Sequence, residues 1–237
     1  MINTPLLKHE SEKIGIFLDD IALARFDRYA EMLVETNKAL NLTAITEPDE
    51  ILYKHFIDSL SLLTVVELKQ NAKVIDVGTG AGFPGVILLI ARPDLKITLM
   101  DGTNKRLNFI SGVLEELKLE AEVLHMRAEL AGKNSKYREK YDLVTARAVA
   151  NMNTLSEYCL PFARVGGIFA PMKAAKADEE LEGSANAIKL LGGKVSDIKH
   201  LNIENCGERC IIITKKISQT PSKYPRASAQ IAKKPLE

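Results

Sequence analysis

Residues 74–86 read VIDVGTGAGFPGV. Gly78, Gly80 and Gly82 alternate after a short apolar run that contains one acid, Asp76, and Pro84 then opens a helical stretch. Gly80, Gly82 and Gly85 satisfy G-x-G-x-x-G, a spacing that lets a strand turn tightly into a helix and lets a ligand approach the backbone. By itself this pattern is shared by several cofactor classes, and the glycines could also serve only tight strand–helix packing. No Gly-Lys-Ser/Thr follows, so the loop is not a triphosphate-binding P-loop. A second acid, Asp101, closes the next β-rich run, where a carboxylate can take two ribose hydroxyls. Arg147 closes a later run, LVTAR.

Two of these features select among ligands. A buried carboxylate at Asp76 disfavours a nearby pyrophosphate; it would attract an ammonium group or orient the N–H groups of the loop. Pro84 removes a backbone donor from the helix start, where a pyrophosphate would be held. Asp101 fits NAD equally well and decides nothing. The balance favours a ligand with a ribose and a positive charge but no phosphate, which describes S-adenosylmethionine. At the end of the fourth strand, which by fold analogy faces the acceptor, the sequence offers neither an Asn/Asp-Pro-Pro-aromatic cradle for an exocyclic amine nor a Cys nucleophile. Cys159 falls inside the following helix as a packed apolar residue. Arg147 remains, either as a site residue or as the partner of a surface carboxylate. An Arg without a base suits an acceptor that is already nucleophilic. Guanine N7 is permitted by this, though not required.

The elements that must position these residues follow from periodicity. Apolar residues at Leu23, Phe26, Ala30, Leu33 and Leu40 recur at helical spacing, and Leu52, Phe56, Ser59, Leu63 and Val66 repeat the pattern after Pro48, so the first 70 residues or so read as helical. From residue 71 short β-rich runs (73–77, 96–100, 121–125, 141–146, 167–172, 195–201, 210–215) alternate with helical ones (84–91, 104–118, 153–162, 177–190). That alternation predicts a mostly parallel sheet covered on both faces, closed by an antiparallel pair. Three segments result: a helical cap over 1–70, an α/β domain over 71–217 and a basic tail over 218–237. From Lys215 onward six basic residues (Lys215, Lys216, Lys223, Arg226, Lys233, Lys234) face one acid, Glu237, whereas the whole chain carries a formal charge of only +1. The tail is expected to be mobile until it meets a partner.

Composition bounds the rest. With 237 residues, 46% hydrophobic and 27% charged, the chain can bury a sizeable core. Cys159, Cys206 and Cys210 form no paired spacing, so a reduced, cytoplasmic setting and no metal site are expected. The N-terminus lacks an apolar core before Asp19, and no apolar run reaches about 18 residues, so neither a signal peptide nor a membrane span is expected.

The ordered motifs NKALNLTAI, KHFIDSL, VIDVGTGAGFPG, LMDGTNKRLNFI, RAE, TARAVA and TPSKYPR span most of the chain. Together they resemble the bacterial 16S rRNA guanine-N7 methyltransferase G family. The resemblance implies a Rossmann-like methyltransferase fold with a seven-stranded sheet. It also implies S-adenosylmethionine as cofactor and 16S rRNA of the small ribosomal subunit as substrate; a monomer is expected. It places Gly78, Phe83, Asp101, Gly102, Thr103, Ala128, Glu129 and Arg147 at the cofactor, with Arg147 closing the site as the catalytic residue. Unaided, RAE reads as a solvated helix start. Thr36 stands where this family often has Trp, Lys54 where Arg is usual, and the tail after YPR is less basic. His55 and Asp58, one helical turn apart, could make a structural hydrogen bond or border the substrate cleft. Lys173, at the end of the fifth strand, and Lys223 and Arg226, in the tail, are candidate RNA contacts or simply solvated cations.

Overall fold

The computed structural model describes residues 1–174 and 177–236. One sheet runs in the order β3-β2-β1-β4-β5-β7-β6. Its strands are β1 (Lys73–Val77), β2 (Lys96–Asp101), β3 (Glu122–His125), β4 (Tyr141–Arg147), β5 (Ala163–Ala174), β6 (Gly193–Ile203) and β7 (Gly207–Lys216). The first five are parallel, and β7 is antiparallel to both β5 and β6. The expected sheet is therefore present, with its antiparallel end. Strand order reverses between β1 and β4, so the loops leaving these two strands flank the crevice where such sheets bind ligands.

Side chains alternate between two cores, as a period of two requires. Val74 packs on one face of the sheet, and Ile75 and Val77 on the other. Ile211 and Ile213 join the first core, and Cys210 and Ile212 the second. Helices Gly85–Ala91 and Asn104–Leu117 cover the first face; helix Met152–Cys159 covers the second.

The N-terminal segment shares the first core. Asp19 caps helix Asp20–Leu40 by accepting from Ala22 N at 2.7 Å, and Asn41 ends it in a left-handed conformation at φ 48°. Phe26, Tyr29 and Leu33 are fully buried, and the Tyr29 hydroxyl donates to Ala81 O in the glycine loop. After Pro48 the helical pattern is not one helix. A turn over Pro48–Ile51 leads into a π-helical turn, Leu52–Ile57, and then into two short pieces, Asp58–Leu60 and Leu62–Val65. The widened turn carries Lys54 and His55, a placement often found at functional sites.

Two expected elements are revised. The helix read over 177–190 is broken into Ala177–Glu182 and Ala185–Leu190 by Gly183 and a fully buried Ser184. The helix read over 153–162 starts at Met152 behind an Asn151 cap and tightens into a 3-10 turn, Leu160–Phe162, where Pro161 removes a donor.

The tail is a larger correction. It is docked rather than mobile, up to residue 236; Glu237 lies outside the described residues. Arg138 donates to the carbonyls of Thr220, Pro221 and Tyr224, Tyr224 and Ile231 are buried, and residues Ser228–Lys233 form a helix. Composition alone suggested mobility, but the anchors sit more than 60 residues away, on Arg138 and Glu157. Among the described residues no helix is long and apolar enough to cross a membrane, and no group of three or more His, Cys, Asp or Glu could hold a metal ion.

Candidate active site

The glycine loop is held by its own backbone and two acids. Gly78 N and Thr79 N donate to Met100 O, and Gly82 N and Phe83 N to Thr79 O. Gly80 N donates to Asp101 Oδ2 at 3.0 Å, and Gly85 N to Asp76 Oδ2 at 2.8 Å. Pro84 has none to give. Few amides are left to cradle a pyrophosphate, so the loop is not built for a dinucleotide. Gly82 must be glycine: its φ is +106°, and a Cβ there would lie 2.6 Å from Val86 Cγ2 and 2.8 Å from the Tyr29 hydroxyl.

Asp76 is fully buried, which pushes its carboxyl up to about 6 against the opposing bonds from Thr79 and Gly85. Its Oδ2 serves those two donors, while Oδ1 has no partner. Asp101 was expected to meet a ribose. Both of its oxygens already accept backbone amides, Oδ1 from Thr103 N at 2.7 Å and Oδ2 from Gly80 N, so it also braces the loop. Each oxygen keeps a second lone pair for a hydroxyl.

Between the ends of β1, β2, β3 and β4 lies a cleft of about 400 Å³. Gly78, Asp101, Gly102, Thr103, Ala128 and Glu129 all line it, so six of the residues singled out in the sequence come together. Sequence reasoning missed Met100, Met126, Val149 and Tyr158, which add an apolar wall. A Cβ on Gly78 would meet Val149 Cγ2 at 2.7 Å, so the bare backbone there is part of the cleft's shape. The apolar wall, the carboxylates of Asp101 and Glu129, and the orphaned Asp76 oxygen behind the loop suit an adenosine carrying a positive charge. Phe83 is not in this lining. It is buried, with the His55 ring stacked at 4.2 Å and the Arg147 guanidinium 5.0 Å from its centroid.

A second cleft, about 440 Å³, meets the first at Ala148. Arg147, His55 and Lys173 line it, together with Ile45, Asp58, Met172, Glu180 and Arg209. Arg147 pairs with Asp58 Oδ2 at 2.8 Å and also donates to Lys54 O at 3.0 Å. Its partner is thus a buried carboxylate, not a surface one. Asp58 Oδ1 accepts from Arg209 Nε at 3.0 Å, so one acid, 4% exposed, holds two arginines at the cleft. His55 lines the cleft and ties the N-terminal segment to β4 at once; burial, then the Arg147 charge, lower its pKa to about 3. Lys173 is engaged by Glu180 at 2.6 Å and Ala150 O at 2.7 Å. Cys159 is fully buried, and burial raises its thiol pKa well above the usual value.

The two tail residues part company. Lys223 is exposed, with Nζ 5.1 Å from the Tyr224 ring centroid. Arg226, expected as an RNA contact, instead forks onto the fully buried Glu157, with Nη2 to Oε2 at 2.6 Å and Nε to Oε1 at 2.9 Å. A bidentate pair of this kind makes Arg226 an anchor of the tail.

Comparison with known proteins agrees with this construction. Solved structures similar to the chain include a SAM-dependent methyltransferase from Aquifex aeolicus (TM-score 0.54, 18% identity, covering 75% of this chain and 97% of that one). Another is a SAM-dependent O-methyltransferase from Thermotoga maritima (TM-score 0.53, 14% identity, 79% and 72% covered). At these identities they establish the Rossmann-like methyltransferase fold alone. Relatives described as ribosomal RNA small subunit methyltransferase G are closer in sequence. That of Ligilactobacillus salivarius is 50% identical over 94% of this chain and 95% of the relative, and that of Acetivibrio thermocellus 46% identical over 98% and 96%. A family model described as rRNA small subunit methyltransferase G matches residues 22–211. With the fold, the loop and both clefts in place, the chain belongs to the rRNA small subunit methyltransferase G family.

Proposed function

We propose that this protein transfers a methyl group from S-adenosylmethionine to N7 of a guanine in 16S rRNA of the small ribosomal subunit. The observation that carries this reading is the junction of the two clefts at Ala148, one suited to the cofactor and the other lined by Arg147 and Arg209. When bound, the cofactor supplies an electrophilic methyl group on a sulfonium. Gly78, the 101–103 segment, Ala128 and Glu129 hold it, and Val149 and Tyr158 exclude water.

Among the described residues the acceptor cleft contains no free base. Asp58 and Glu180 are each tied to cations, and a His55 ring with a pKa of about 3 is a weak base whose two nitrogens are both engaged. Guanine N7 needs none, because its lone pair is available at neutral pH. Catalysis then rests on positioning, with the positive charge passing from the sulfonium to the guanine ring. Arg147 is the group at the meeting point. Lys223 and Lys173 are assigned to RNA phosphate or base. One chain supplies both clefts, so the monomer suffices, and the cytoplasm is where such a substrate is met.

The test is transfer of tritiated methyl from S-adenosylmethionine to small subunits lacking the modification, beside naked 16S rRNA, with the labelled base mapped by N7-specific strand scission. One labelled guanine is expected. Cofactor binding without any label in rRNA overturns the acceptor assignment, and no cofactor binding overturns the whole reading.

A further inference from the structure

We infer that Thr43 and His55 form a positioning relay that fixes the Arg147 guanidinium at the cleft junction, with His55 held as the neutral Nε2–H tautomer. This rests on the reading of Arg147 as a site residue. Arg147 Nη2 lies 3.0 Å from His55 Nδ1. Lys54 O also lies 3.2 Å from Nδ1, but it already accepts from Arg147 Nη1, and a guanidinium only donates, so the shorter Arg147 contact has Nδ1 present its lone pair and puts the ring proton on Nε2. Nε2 lies 2.9 Å from Thr43 Oγ1 and donates to it.

Thr43 is fixed in turn. The Asn37 side chain accepts from Thr43 N and donates to Thr43 O, both at 2.9 Å, and Ile45 N donates to Thr43 Oγ1 at 3.1 Å. The relay therefore runs from helix Asp20–Leu40, through the NLTAI loop, to the end of β4. The charged groups that share the cleft with the ring are Arg147, which contacts it directly, and Lys54, Asp58, Lys173, Glu180 and Arg209. A ring that carried a second proton would present N–H to the Arg147 guanidinium, cation against cation. The tautomer also fixes the arginine: with Asp58 and Lys54 O taking Nη1, His55 takes Nη2, and the fork cannot rotate. The N-terminal segment is thereby part of the site's geometry and more than a lid on the core.

The experiment reads imidazole nitrogens by two-bond ¹H–¹⁵N NMR in the full chain, with His55 assigned by its loss in His55→Phe. A bare Nδ1 and a protonated Nε2, unchanged from pH 8 to pH 5.5, are expected. In Arg147→Ala the ring's titration should move up, with burial still holding it below the ordinary range. A protonated Nδ1, or titration near pH 6.5 in the wild-type chain, overturns the relay. Kinetics supply the second readout. Thr43→Val, nearly isosteric, should lower kcat three- to tenfold with cofactor Kd unchanged, and Thr43→Ser should restore it. Wild-type kcat in Thr43→Val refutes the positioning role. Wild-type turnover in Arg147→Ala, with the NMR signature intact, refutes instead the reading of Arg147.

Discussion

Replacing Arg226 by Ala separates a structural tail from an RNA-gripping one. Glu157 is 0% exposed and Arg226 22% exposed at the side chain. The arginine satisfies both carboxylate oxygens, and its own backbone N–H adds a bond to Oε1 at 2.8 Å. Arg226→Ala would leave a charge in a dry site with one amide donor, which costs about 3–5 kcal/mol. The reverse change is milder. In Glu157→Gln the amide oxygen can still accept, and the partly exposed guanidinium reaches water, for a loss of roughly 1–2 kcal/mol. For a chain of this size each kcal/mol moves Tm by about 2–4 °C. Arg226→Ala should therefore lower Tm by roughly 6–20 °C and Glu157→Gln by less than half as much. If the tail undocks before the rest unfolds, the loss appears as faster amide exchange after residue 217 instead of a full Tm shift. Calorimetry and hydrogen exchange on both variants decide it. Wild-type Tm and tail exchange in Arg226→Ala, with weakened rRNA binding, would refute the reasoning and return Arg226 to the RNA interface.

Further outcomes follow from other sites. Gly82→Ala should destabilise the chain by about 2–3 kcal/mol in urea titration, since it combines a positive φ with contacts to Val86 and Tyr29 that a Cβ would violate. Arg147→Ala should reduce methyl transfer at least tenfold while the cofactor still binds by calorimetry, and Arg147→Lys should not rescue it, because one ammonium cannot span Asp58, Lys54 O and His55. His55 has a folded pKa near 3 against about 6.5 unfolded. Its contribution to stability is full above about pH 6.5 and is lost as pH falls toward 3, so the difference in unfolding free energy between wild type and His55→Phe should shrink by up to about 1.4 kcal/mol per pH unit across that window. Thr36→Trp should fill the groove of about 360 Å³ between Met32, Leu40 and Phe109, gain about 1 kcal/mol, and give this Trp-free chain one fluorescent reporter.

What was legible in the sequence was local or periodic. The strands around Asp76 and Asp101, the helix behind Pro84 and the buried Cys159 follow from alternation and turn chemistry. Arg147 could be placed at a strand end without knowing its partner. What stayed hidden depended on contacts across the chain. Glu157 looks like an ordinary solvated residue of a short helix until Arg226 arrives from 69 positions away. Asp58 was read with His55, one turn off, but its two arginines come from β4 and β7. The π-helical turn at Leu52–Ile57 carries an apolar rhythm that an ordinary helix would also carry, and Phe83, inside the loop, turns toward the N-terminal aromatics.

The glycine loop has one more consequence. Six of its amides are already satisfied by the protein itself, four by backbone carbonyls and two by the Asp101 and Asp76 carboxylates. The loop therefore keeps its shape with or without a ligand and has little conformational entropy left to lose. Binding a cofactor would then require little ordering of this loop, which is what preorganisation means here. A methyltransferase gains from this, because exchanging the small molecule does not require the loop to be rebuilt at each turnover.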